Sequence, residues 1–187
     1  MSELTQPSQN LILRPTERGD VPAIMVMVNA AKAMLKADNS SQWQSGYPNE
    51  YSFYADIDAG SSFVLCEENA GQVVATASIS FGEEAGYSAL ISGEWAYPEE
   101  EYGDYAVVHR VAVHPDYCGQ HVADQLFLAL FEVIIQQGIC TVRVDTHRKN
   151  QRMQNVLARL GFSMSGEITV DHDPLDPKRL CYEKLLR

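Results

Sequence analysis

The residues best suited to chemistry lie in one segment, Arg110–Ala123, which reads RVAVHPDYCGQHVA. A strand runs into Pro115, turns through Asp116–Gln120 and delivers a helix. A helix N-terminus presents unbonded N–H groups and the positive end of its dipole, which together suit a pyrophosphate. Gly119, with no side chain, lets the backbone approach such a ligand. Further on, His147-Arg148-Lys149-Asn150-Gln151-Arg152 is the densest basic run of the chain. It is fit to receive phosphates or to form a solvated helix start. Upstream, Gln42–Pro48 sets Trp43 and Tyr47 among turn residues. Such rings can wall a substrate or hold a cation by the face, or can simply pin a loop to the core. The same two roles are open to Trp95, Tyr97, Tyr102 and Tyr105.

Those groups need a frame, and hydrophobic periodicity predicts one. Leu11–Arg14 reads as a first strand. Asp20 is placed as the N-cap of a helix on which Ile24, Met27, Val28, Ala31 and Leu35 recur at helical spacing. A second helix is expected over 50–59, then paired strands Ser62–Cys66 and Val73–Phe81 around a turn at Asn69-Ala70-Gly71. Gly82–Asp104 is a long polar connection, a feature that in compact domains often carries function. Tyr105–His114 is a Val-rich strand suited to burial. The helix Gly119–Gln137 carries the stripe Val122, Leu126, Leu130 and Ile134, and Gly138 stands where a C-terminal cap belongs. Cys140–Thr146, Asn150–Leu160, Ser163–Val170 and Leu180–Leu186 complete the order β-α-α-β-β-β-α-β-α-β-β. That order describes one α+β domain over 11–187 around a mixed sheet, after a flexible N-terminus over 1–10.

On these elements the sequence resembles the GNAT superfamily of N-acetyltransferases. Val111-Ala112-Val113-His114-Pro115 matches the end of that family's central strand, and Gly119 and Ala123 match its phosphate turn. Val144-Asp145-Thr146-His147, Asn150 with Met153, and Leu160-Gly161-Phe162 match its second motif. The resemblance implies a mostly antiparallel mixed sheet flanked by helices, whose splayed central strands form a groove for acetyl-CoA as cosubstrate, with no metal. It places the pantetheine along Val111, Ala112 and Val113, and the pyrophosphate at Cys118, Gly119, Gln120, His121, Val122, Ala123 and Asp124. Asn150 and Met153 complete the implied cofactor contacts. The resemblance also implies a backbone N–H near Val113 that would steady the tetrahedral oxyanion. Three positions depart from the family pattern. Cys118 replaces Arg or Gln, His121 replaces Gly, and Leu157 replaces the tyrosine that often protonates the departing thiolate.

The implied reaction is direct attack of a primary amine on the thioester in a ternary complex. An amine is mostly protonated at neutral pH, so a base must take its proton. Glu94, His109, Asp145 and His147 are the candidates. Trp43, Tyr47 and Tyr105 are the expected acceptor contacts. The three departures also leave open a domain that binds CoA as a sensor without turnover.

Charge narrows the partners. Between Lys36 and Arg110 there is no Lys or Arg, while thirteen Asp and Glu occur there; the whole chain of 187 residues carries −11. Nucleic acid is not expected on such a surface, since phosphate binding needs clustered cations. A small-molecule or peptide amine would be attracted, although acidity also serves solubility alone. No apolar run approaches the roughly 20 residues of a membrane helix. MSELTQPSQN lacks the basic start and apolar stretch of a secretory signal, so a cytoplasmic location is expected. Cys66, Cys118, Cys140 and Cys181 have neither zinc-ligand nor disulfide spacing. A homodimer is a plausible assembly on general grounds.

Overall fold

The chain forms β1 (Leu11–Pro15), α1 (Val21–Ala37), α2 (Glu50–Asp58), β2 (Ser62–Glu67), β3 (Val73–Phe81), β4 (Ser92–Gly93), α3 (Glu99–Tyr102), β5 (Tyr105–Val113), α4 (Val122–Gln136), β6 (Thr141–Thr146), α5 (Gln151–Arg159), β7 (Ser163–Thr169) and β8 (Lys178–Leu185). This is a computed structural model, which describes residues 10–84, 86–88 and 90–186. The strands form one sheet in the order β1-β2-β3-β5-β6-β8-β7-β4. Every pairing is antiparallel except β5 with β6. The predicted α+β class and mixed, mostly antiparallel sheet are what the chain adopts.

Alternation of side chains puts a helical layer on each face. On one face Val21, Ile24, Met27 and Val28 of α1 pack with Phe53 of α2 against Val64, Val73 and Ala112. On the other, Val122, Leu126, Phe127, Leu130, Phe131 and Ile134 of α4 join Leu157 of α5 over Leu65, Val74, Val108 and Val144. Each such buried side chain stabilises the fold by about 1.5–3 kcal/mol, so α4 is the main anchor of the sheet. Its predicted stripe is the observed one.

Several boundaries differ from the sequence reading, each for a local reason. The helix predicted to begin at Gly119 begins at Val122. Gly119 at φ +80 and His121 at φ +58 are both left-handed and cannot belong to a right-handed helix. Asp20 adopts a helical conformation without a capping bond, because its carboxylate instead takes both nitrogens of Arg14 at 2.7 and 2.9 Å. The connection 82–104 is not wholly irregular. It contains β4, which pairs Ser92 with Glu167 and Gly93 with Gly166. At those two glycines the backbones approach so closely that a Cβ on either would overlap the opposite strand. The flexible segment expected over 1–10 lies outside the described residues except for Asn10, whose side chain donates to Glu68 at 3.0 Å.

Candidate active site

The site arises where two parallel strands part. β5 and β6 pair only at Tyr105–Thr141, Ala106–Val142 and Val107–Arg143. Beyond that point β6 stays with β8 up to Thr146, and β5 stays with β3 up to Val113. Among the described residues, the facing edges of 108–113 and 144–146 have no strand partner. Free N–H and C=O groups there can pair with an amide-bearing ligand as an extra strand would. A cavity of about 510 Å³ opens in the gap, lined by Val108–Val113, Val144–Thr146, Gly119, His121–Ala123, and Asn150, Met153 and Val156 of α5.

A bulge divides this cavity into two chemical halves. Thr76 pairs with Ala112 and Ser78 with His109, so Ala77 faces two residues, Arg110 and Val111. Arg110 takes φ +53 to make room. The bulge reverses the alternation of β5. Val108 faces the α4 core, whereas Ala112 faces the α1 core. Val111 and Val113 therefore lean on the α4 side, and Arg110 joins the α1–α2 side.

On the α4 side, Gly119 leaves open space, since an added Cβ would meet nothing within 4 Å. The unbonded N–H groups at the start of α4 follow directly. Arg152 and Arg159 line the cavity as well. Arg159 is paired with Asp124 at 2.7 Å, and Arg152 with Asp38. His121 points its Nδ1 to Asp124 Oδ2 at 2.9 Å. It is thus a left-handed residue at the helix entry rather than a member of the first helical turn, which accounts for the family's glycine at this position. A side chain in that region costs about 1 kcal/mol, more for a β-branched one. We expect urea midpoints in the order His121→Gly above wild type above His121→Val, with the outer pair separated by about 1–2 kcal/mol. Equal midpoints would mean that the turn carries no strain.

Asn150 caps α5 by accepting from Met153 N at 3.2 Å and donates to Gln42 Oε1 at 3.1 Å. Gln120 turns back to the Asp116 carbonyl. Leu157 is wholly buried in the core, so α5 offers no hydroxyl there.

The α1–α2 side holds the titratable groups. His109 lines the cavity and its Nε2 is 2.9 Å from Glu84 Oε2. Burial pushes the Glu84 carboxyl up, but the hydrogen bonds from His109 and Ser80 and the nearby Arg110 charge pull it further down, below the ordinary range. Glu84 is therefore an anion at neutral pH. Ser80 also donates to it. Asp145 faces the cavity with Oδ1 receiving the Tyr87 hydroxyl at 2.7 Å. Burial and the adjacent Asp145 carboxylate drive the Tyr87 pKa well up, so this hydroxyl remains a donor. Tyr47 and His172 meet ring to ring at 4.2 Å on the cavity wall. Burial pushes Tyr47 up to about 12. His172 is exposed as a residue, yet desolvation of its ring beside Tyr47 lowers its pKa and keeps it neutral.

Trp43 and Tyr47 line the cavity as expected of acceptor contacts, but Tyr105 does not. Tyr105 is buried, its ring 3.8 Å from the Arg143 guanidinium, which lies against Trp95 on its other contact at 4.0 Å. Two of the four candidate bases also stand elsewhere. Glu94 is exposed beside β7, where its N–H bonds the Ser165 carbonyl. His147 is fully buried. Its Nδ1 accepts from Lys149 N at 3.2 Å, which leaves Nε2 as the donor to Asp176 at 2.9 Å. No lone pair is left for a base. This contact, with Arg148 and Ser41, draws Asp176 down to about 2 and ties the 171–177 loop to the 40–48 loop. Glu84, Tyr87, Arg110 and His172 were not singled out from sequence. Arg110 had one legible signal, a lone cation inside a Val-rich strand.

A groove at diverging parallel strands, closed below by a glycine turn and a helix N-terminus, is the architecture of an acyltransferase. The chain belongs to the acetyltransferase (GNAT) family, whose model matches residues 28–162. Its fold is similar to that of a GNAT-family acetyltransferase from Streptococcus agalactiae 2603, with TM-score 0.82 and 30% identity over 96% of this chain and 97% of that one. A GNAT-family acetyltransferase from Listeria monocytogenes 4b F2365 is also similar, with TM-score 0.69 and 19% identity over 98% and 99%. So is yncA from Salmonella typhimurium, solved with its cofactor acetyl-CoA, with TM-score 0.62 and 19% identity over 95% and 94%. No curated protein sequence matches the chain. Among the described residues no helix is long and apolar enough to cross a membrane.

Proposed function

We propose that the chain is an N-acetyltransferase that takes acetyl-CoA in the gap between β5 and β6 and passes the acetyl group directly to a primary amine held on the α1–α2 side. The observation that carries this reading is the unpaired edge of Val108–Val113 running into the open backbone at Gly119. The donor set fits the cosubstrate: strand amides for the pantetheine, helix N–H groups for the pyrophosphate, and Arg152 and Arg159 for further phosphate charge. Acetyl-CoA supplies the acetyl carbonyl. The amine nitrogen bonds to that carbon and the carbon–sulfur bond breaks. Of the two protons the ammonium gives up, one ends on sulfur and one in solvent.

The chain's own contribution is positioning and proton removal. His109 acts as base, because Glu84 holds its Nε2 as an N–H and leaves Nδ1 with a lone pair. Asp145, steadied by Tyr87, holds the amine before it reacts. With Leu157 in the core, the sulfur takes its proton from water.

Acetyl-CoA should raise the melting temperature, since a ligand that binds only the folded state stabilises it by about 2.7 kcal/mol at a hundredfold excess over Kd. For a chain of this size that corresponds to about 5–10 °C. Absence of any shift at millimolar ligand sinks the proposal. A shift without thiol release across a broad amine panel favours the CoA-sensing alternative.

A further inference from the structure

Resting on the acetyltransferase reading above, we infer that the acceptor is a small zwitterion of the amino-acid class, its amine taken by Asp145 and its carboxylate by Arg110, with the rings of Tyr47 and His172 forming the wall beside both. Two unbalanced groups in the cavity lead there. Asp145 is the first. The other carboxylates near the cavity each have a basic partner: Asp56 has Arg110, Asp124 has Arg159, Glu84 has His109. Asp145 receives only the neutral Tyr87 hydroxyl, and no cation of the described residues pairs with it. A partly buried carboxylate without a counter-charge is costly until a cation arrives.

Arg110 is the second. Its Nη1 is spent on Asp56 at 2.8 Å, and Asp56 is fixed in turn by Ser78 at 2.6 Å. Among the described residues its one side-chain hydrogen bond is that of Nη1, and its Nε is buried without a partner. The guanidinium lies 5.3 Å from the centre of the Tyr47 ring and lines the cavity. Asp56 thus grips one corner of the fork and leaves the opposite edge for a ligand anion, the planar geometry at which Arg excels.

The backbone has been bent to bring this about. Without the bulge, alternation would turn residue 110 toward the α4 core with Val108. The left-handed φ of Arg110, unfavourable for any residue with a side chain, delivers it to the acceptor side instead. Register sets the spacing. Asp145 lies two residues past Arg143, the last residue of β6 paired with β5, and Arg110 three past Val107, its partner there. An anion and a cation therefore line the same cavity as His109, on the two strands that part. A simple cationic amine would satisfy Asp145 and leave Arg110 idle. A ligand with both charges satisfies both.

The test uses the whole protein and the twenty common L-amino acids, their methyl esters and the matching decarboxylated amines, with thiol release from acetyl-CoA as readout. Calorimetric binding of CoA is measured alongside. The expected result is turnover of one or a few free amino acids with kcat/KM about 10–100-fold above their esters and amines, the size of a charged hydrogen bond. Arg110→Gln should raise KM for the best amino acid by a similar factor, abolish the preference over the ester, and leave CoA affinity within about twofold. If Arg110→Gln misfolds, wild-type discrimination between acid and ester decides alone. Esters or plain amines used as well as the acids, or used in their place, overturn the inference and leave the acetyltransferase reading standing; CoA binding with no turnover of any of them overturns the inference and favours the CoA-sensing alternative. Failure of CoA to bind overturns both.

Discussion

Replacing Gly119 by glutamate is expected to abolish CoA binding, a loss of at least about 100-fold in affinity, while the chain stays folded. The space above Gly119 is empty in the fold, so the new side chain meets no protein atom within 4 Å of its Cβ. The cost to stability is the left-handed backbone, φ +80, which a side chain tolerates at about 1–2 kcal/mol. That is a modest fraction of the 5–15 kcal/mol of an ordinary domain. The cost to binding is far larger. The carboxylate stands within reach of the free N–H groups that open α4, takes the anion's place and repels the pyrophosphate. Gly119→Ala separates the two effects, because it carries the same backbone strain without charge. Calorimetric titration of CoA into all three proteins, with thermal melts as the folding check, gives the answer. A folded Gly119→Glu protein with wild-type affinity would show that the phosphates do not approach this turn.

His109→Ala is expected to lower kcat by about 10²–10⁴-fold with CoA affinity unchanged, the usual contribution of a positioned base. Glu84 stays ionised through neutral pH because its bond to His109 outweighs the burial that opposes it. It therefore keeps the imidazole in the tautomer whose Nδ1 can accept a proton. The wild-type rate should rise with pH on the acid side, as protonated imidazole cannot act as a base. His109→Ala should lose that limb. Glu84→Gln should lie between the two proteins, since the amide still holds the ring but no longer favours a single tautomer. A fall in kcat of less than about threefold for His109→Ala, with the acid limb intact, would move the base to Asp145, the remaining candidate on the cavity wall.

The features legible in the linear chain are those decided within a few residues. The α4 stripe repeats at the helical period, and burial against the sheet follows from that spacing alone. The turn before it was announced by Gly119, and the end of α4 by Gly138, both at positive φ where glycine alone is free of strain. The adjacent His121 shows the boundary of such reasoning. Its side chain gives no warning of a left-handed conformation, so the periodicity starts the helix three residues early.

The site's chemistry was decided elsewhere. His109 and Glu84 are 25 residues apart, joined by the pairing of β3 with β5 and by a loop whose path no local pattern describes. His147 has the same residue type and lies just past the end of β6, yet burial beneath Asp176 gives both its nitrogens fixed partners. Only packing distinguished the proposed base from the latch. The parting of β5 from β6 depends on how far two strands stay in register, and the position of Arg110 on one extra residue opposite Ala77. Strand alternation read from the sequence puts Arg110 on the wrong face, because a bulge leaves the order of residue types unchanged while reversing every side chain beyond it. The sequence by itself therefore determined the elements, their order and the glycine turn before α4, which follow from local periodicity and backbone freedom. The tertiary structure alone decided the α1–α2 half of the cavity, proposed to hold the acceptor, since its charges and rings meet through register and loop packing between residues distant along the chain.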